Sequence, residues 1–286
     1  MFAIIGIVVV FGSVIGGYML NGGHMGVLFQ PLEWLIIVGA AIGSFLIGNP
    51  KEVITGVVGN FALIFKGPHH SKDAYMELLS MLYAVFKLAK TKGDLALESH
   101  VEKPDESPLF AKFPGFNEDH HVRTFFCDYL RLLTLGTSNA HEVEAVIDME
   151  LEAHHKFYHE VSHAVNLMAD AMPALGIVAA VLGVIHTMGS ITEPPEVLGH
   201  LIGAALVGTF SGVLISYAFF APFARSMQMC FDSDGYYHTC IKAALLAHMQ
   251  GYAPQVSVEF ARKLLPDELK PSFQELEEAI NNLPPD

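Results

Sequence analysis

The stretch HEVEAVIDMELEAHHKFYHEVSHAVNLMADAMPALGIVAAVLGVIHTMGS, His141–Ser190, decides the fold. Its first half carries acids and imidazoles, and neither glycine nor proline interrupts it before Pro173. Its second half, about Leu167–Met188, is apolar and long enough to cross a bilayer, which takes roughly 20 residues of helix. One helix is therefore expected to rise through both halves. Asp170 and Pro173 stand where the apolar half begins, and charge and proline are both costly there.

Working outward, three further runs have spanning length: about Phe2–Leu20, Leu32–Gly48 and Val197–Phe223. The first begins MFAIIG, with no basic residue and no clear cleavage site, and reads as a retained span. The composition agrees: of 286 residues 52% are hydrophobic and 16% charged, with mean hydropathy +0.40. A net charge of −14 argues against nucleic acid. Cys127, Cys230 and Cys240 are too scattered for a disulfide framework or a four-cysteine zinc site, and suit a reducing compartment.

Basic residues set the orientation. All 16 Lys and Arg fall in Lys51–Lys156 or Arg225–Lys270. By the positive-inside rule both regions and both termini are cytoplasmic, leaving Asn21–Pro31 and Ser190–Glu196 as short external loops. The expected organisation is all-α. Residues 1–50 hold the first two spans, 51–164 a helical insert, 165–227 the second two spans and 228–286 a helical tail.

Within the insert, Met76, Leu79, Tyr83 and Phe86 mark one apolar helix face behind a Ser71 N-cap. Asn139 and Glu142 resemble a capping box. KPDESP and KFPGF read as loops, and the terminal NNLPPD as frayed. Gly12/Gly16, Gly39/Gly43 and the Ala204, Gly208, Gly212, Ser216 series are small faces for close helix packing.

Three signals bear on chemistry. HEVSH, His159–His163, has the zincin spacing, but no motif supplies a third ligand. In a chain with 15 His it reads more simply as a solvated helix face, so no metal and no catalytic residue are expected. Pro173 and Pro222, counted from the cytoplasmic ends, fall at similar depth and suggest a flexible collar, with Ala180 and Thr209 together at mid-membrane. Glu33 and Asp170 read as acids at the membrane boundary, leaving the central layer without Asp, Glu, Lys or Arg. Moving protons through it then requires a group from another polypeptide.

GGYMLNGG, QPLEWLIIVGAAIGSFLIGN, MPALGIVAAVLGVIHTMGS, LVGTFSGVLISYAFFAPFA, GYAPQVSVEFARK and PSFQELEE resemble, in order, the MotA family of flagellar stator subunits. The resemblance implies an inner-membrane homopentamer around two copies of a single-span MotB-type partner. That partner brings a protonatable Asp, and the ring drives the rotor protein FliG. It implies ion-path or switch roles for Pro173, Thr209 and Pro222, with Asp170 and Ala180 beside them. Lys90 and Glu98, in KLAKTKGDLALESH, match the family's rotor contacts, with Lys where the family often has Arg. Sodium-driven relatives place Thr where Ala180 stands, so the expected ion is the proton. TolQ- and ExbB-type channel subunits, with three spans, are the alternative, and a membrane metalloprotease through HEVSH a remote one.

Overall fold

The structure, a computed structural model, describes residues 2–137 and 139–284. Its longer helices are α1 (Phe2–Leu20), α2 (Pro31–Gly48), α3 (Lys51–Asn60), α4 (Lys72–Lys92), α5 (His120–Thr134), α6 (Ala140–Met188), α7 (Pro195–Ile215), α8 (Ala221–Met249), α9 (Pro254–Lys263) and α10 (Phe273–Asn281). Among the described residues there is no strand, as the all-α expectation required. Among the described residues four helices are long and apolar enough to cross a membrane: α1, α2, α6, and α7 with its continuation.

The uninterrupted His141–Ser190 pattern does fold as one helix, α6, with Pro173 inside it. Span four goes further than expected. A π-helical stretch, Ser216–Phe220, joins α7 to α8, so the span runs directly into the tail as far as Met249. A π turn inserts one extra residue into the helical ladder.

The chain divides into two units. The first comprises Met1–Gly67 with Lys156–Phe231, and the second Pro68–His155 with Asp232–Asp286. The second is built around α4. Tyr75, Leu78, Leu79, Met81, Leu82, Val85 and Phe86 are all completely buried, so the middle of α4 is covered well beyond one apolar face, while Lys87 and the end of the last turn stay exposed. Burying each such side chain contributes about 1.5–3 kcal/mol relative to leaving it in water. Ser71 caps α4 as expected, its hydroxyl accepting from the Ala74 N–H.

At the start of α6, Asn139 Oδ1 accepts from the His141 N–H at 3.2 Å and its Nδ2 donates to Glu142 Oε1 at 2.7 Å. The reciprocal capping box is instead at Ser272 and Glu275, opening α10. That helix ends at Asn281, and Pro285 and Asp286 of NNLPPD lie outside the described residues.

In the first unit the small-residue faces separate into two kinds. A Cβ added at Gly12, Gly16, Gly39 or Gly43 would meet no other atom within 4 Å. Gly208 and Gly212 are closely covered, and they form the crossing that positions the site.

Candidate functional site

At that crossing α6 and α7 touch backbone to backbone. A Cβ on Gly212 would lie 2.7 Å from the Met172 carbonyl oxygen and 2.8 Å from Gly176 Cα. One on Gly176 would lie 2.8 Å from the Gly208 carbonyl oxygen. Only glycine permits this approach, which brings the next residue of α6, Pro173, close to α7. Pro173 has no N–H for the Ala169 carbonyl, so the helix ladder is interrupted within a turn of the crossing.

The crossing sets the register. Gly176 stands opposite Gly212, and a Cβ on Gly208 would lie 3.2 Å from Ala179 Cβ and 3.2 Å from the Ala180 nitrogen. Ala180 and Thr209 therefore lie at one level, as their sequence positions suggested. Further along, Ser162 Oγ donates to Gln228 Oε1, which places residue 162 opposite 228.

Between these contacts Pro222 falls opposite about residue 167, and Pro173 opposite about residue 215. The expected collar of two prolines at one depth is thereby corrected. They stand about six residues apart in register, roughly 9 Å along the axis at 1.5 Å per residue. The extra residue of the π stretch shortens the offset by about one residue but does not remove it.

Asp170 is exposed, and its Oδ2 accepts from Asn166 Nδ2 at 3.1 Å. Below it a cleft of about 590 Å³ is lined by His159, Ser162, His163, Pro222, Arg225 and Gln228, among others. The HEVSH imidazoles thus share a cleft with Pro222, their rings 5.9 Å apart. Among the described residues no three His, Cys, Asp or Glu side chains are grouped to hold a metal ion, so the zincin spacing gains no third ligand.

A second correction concerns Glu33. The sequence placed it at the outer boundary, but its side chain reaches between α6 and α7. A Cβ on Gly183 would lie 3.5 Å from Glu33 Oε1, and one on Gly208 would lie 3.1 Å from Oε2. Trp34, the next residue, holds α2 in place by donating from Nε1 to Ser211 Oγ at 3.0 Å. The central layer therefore does hold an acid. The available signal was that Glu33 is the only acid before Glu52.

In the second unit Lys90 and Glu98 are both exposed. Lys90 lies in the last turn of α4 and donates to the Gly251 carbonyl at 3.3 Å. Glu98 opens the short helix Glu98–Glu102, where a carboxylate suits the helix dipole. Gly93, with φ 84°, makes the turn between them.

The main electrostatic feature of that unit was missed because its members are distant in sequence. His70 Nε2 lies 3.3 Å from Asp119 Oδ2 and its Nδ1 3.2 Å from Asp234 Oδ1. Asp234 Oδ2 also meets His69 Nδ1 at 2.8 Å. The His70 ring stacks on Tyr237 with centroids 3.8 Å apart. Only an imidazolium donates from both nitrogens.

Burial opposes that charge, but the two carboxylates outweigh it and hold the His70 pKa above the ordinary value. Asp119 is likewise held down at about 2, the pull of His70 and the Val122 N–H exceeding the cost of burial. Nearby His238 is the opposite case. Burial, with the charges of His154 and His70, pushes it down to about 4.

Comparison with known proteins bears on the whole chain. Residues 4–93 match the family described as Motility protein A N-terminal, and residues 117–233 the MotA/TolQ/ExbB proton channel family. Motility protein A of Escherichia coli K12 is 41% identical over 280 residues, covering 98% of this chain and 95% of that one. Chemotaxis protein LafT of Vibrio parahaemolyticus is 34% identical, covering 96% of both.

Among solved structures, the flagellar MotAB stator complex of Bacillus subtilis aligns with TM-score 0.73 and 26% identity, over 92% of this chain and 95% of that chain. A Campylobacter jejuni MotAB structure aligns with TM-score 0.77 at 21% identity, over 93% and 96%, and shares the fold. With these matches running through all four spanning helices and the tail, the chain belongs to the motility protein A branch of the MotA/TolQ/ExbB proton channel family.

Proposed function

We propose that the chain is the ion-conducting, torque-generating ring subunit of a bacterial flagellar stator. Five copies surround two copies of a single-span MotB-type partner in the cell inner membrane, with both termini in the cytoplasm. The observation that carries this reading is the 41% identity to Escherichia coli motility protein A across 98% of the chain. The confinement of all Lys and Arg to Lys51–Lys156 and Arg225–Lys270 supports the orientation.

In this reading the Ala180–Thr209 level belongs to the ion path, and the partner's Asp exchanges its proton near Pro173. The interrupted ladder at Pro173 lets the lower part of α6 answer that exchange, with Asp170 at its entry. Pro222 is a second yielding point deeper toward the cytoplasm. Lys90 and Glu98 meet complementary charges on the rotor protein FliG.

The translocated ion is the proton. Sodium must be held by several oxygens after losing water, and Ala180 offers only a methyl group where a hydroxyl would serve. The Motility protein A N-terminal match over residues 4–93, with four spanning helices instead of three, favours a stator over a TolQ- or ExbB-type subunit.

Complementation tests the reading. Expressed with its partner in a strain lacking its own stator, the chain should restore swimming. Swimming should persist when potassium replaces sodium and stop with a protonophore. Non-motile cells containing both membrane-inserted chains would refute the stator role. Arrest on sodium removal would refute the ion.

A further inference from the structure

Glu33 sits in a slot that two glycines leave open. Its oxygens lie against Gly183 and Gly208, at distances that any side chain on Gly208 would disturb. Oε2 is buried and has no hydrogen-bond partner among the described residues. No Lys or Arg occurs in residues 1–50 or 157–224, so this part of the chain has no fixed cation to pair with it. A carboxyl oxygen in an apolar layer without a donor is costly unless it carries a proton or meets a donor brought by something else. Packing alone does not call for an acid here, because an amide of the same shape would fill the slot.

We propose that Glu33 is a proton-binding station within the first unit, on the external side of the Ala180–Thr209 level. This rests on the stator reading above and adds a residue of this chain to the proton's route. A proton arriving from external water forms an O–H bond with the Glu33 carboxylate. The same bond then breaks as the proton passes inward to the next base, the partner's carboxylate, and no electrons change hands. The other titratable groups near this end of the path include His24, which precedes the short helix Met25–Leu28, His186 on α6, Glu196 and His200 on α7, and Glu193 in the loop between. Trp34 and its bond to Ser211 fix the approach of α2 and hold the carboxyl in register.

The test uses the complete stator, ring and partner together, reconstituted in vesicles under a proton gradient. Glu33→Gln keeps the shape and removes the titrating group, and should lower proton flux about tenfold or more, with Glu33→Asp recovering part of it. Gly208→Ala keeps the acid but crowds Oε2, 3.1 Å from the added Cβ, and should lower flux in the same direction by less.

Infrared difference spectra should show a carboxylic C=O band that follows external pH and is absent from Glu33→Gln. Unchanged flux in an assembled Glu33→Gln complex would overturn the proposal and leave the stator reading intact. Should Glu33→Gln not assemble, a wild-type complex lacking any pH-dependent carboxylic band outside the partner's Asp would overturn it equally. Absence of flux in the wild-type complex would instead strike at the stator reading.

Discussion

His70 joins the segment after residue 67 to both α5 and α8, and its charge makes that junction pH-sensitive. Its folded pKa lies above the ordinary value of about 6.5, so its stabilising contribution is complete below that value. The contribution is lost as pH rises through the folded pKa. His154, His238 and His248 behave oppositely. Burial, with neighbouring positive charge, lowers all three, so their neutral forms favour the fold above about pH 6.5 and disfavour it as pH falls.

The second unit should therefore be firmest near neutrality. Amide hydrogen exchange of His69, His70 and Ser71, corrected for intrinsic rates, should show protection falling as pH rises above about 6.5. In His70→Gln the protection should be lower and flat over that range. An equal alkaline slope in the variant would assign the effect elsewhere.

Among the elements, the α6–α7 crossing sets the geometry of the site. Gly212→Val places a branched side chain where the Met172 carbonyl and Gly176 Cα already stand within 3 Å. Overpacking of this kind costs about 1–3 kcal/mol. We expect Gly212→Val to reduce the amount of assembled protein in membranes, whereas Gly12→Val, in open space within the chain, should leave folding of the single subunit unchanged. Comparing detergent melting temperatures with ring yield on native gels would separate these effects. A Gly212→Val subunit that melts like the wild type would contradict the crossing.

The same elements show what the sequence could reveal. Spanning helices were legible because length and apolarity are local, as was α6 because nothing between His141 and Pro173 breaks a helix. The π stretch was not, since SYAFF contains no breaker. The relative depth of Pro173 and Pro222 was hidden because it depends on the α6–α7 register, which the contacts of Gly176 and Gly212 set and counting from the span ends does not. Glu33 was misplaced because a position in sequence gives the depth of a Cα. The reach of the carboxyl depends on Gly183 and Gly208, which are distant in sequence. The breadth of α4's burial was hidden because residues off its main stripe, such as Leu78 and Val85, are covered by elements far along the chain.

For the whole molecule, the distribution of basic residues predicts which surfaces face which compartment. Single cysteines at Gly23 and Glu193 should react with a membrane-impermeant maleimide applied to intact spheroplasts, and one at Lys103 only after lysis. External labelling of Lys103→Cys would invert the orientation. The native thiols favour this measurement. Cys127, Cys230 and Cys240 are all buried, with Sγ of Cys230 and Cys240 directed at the carbonyls of Leu63 and Ala261. Burial pushes the Cys127 thiol up to about 11 and that of Cys240 up to about 12. Maleimides attack the thiolate, which these two sites scarcely populate near neutrality. The unaltered chain is thus chemically silent toward the reagent, and each introduced cysteine can be read against its own native background, with no cysteine-less variant to build.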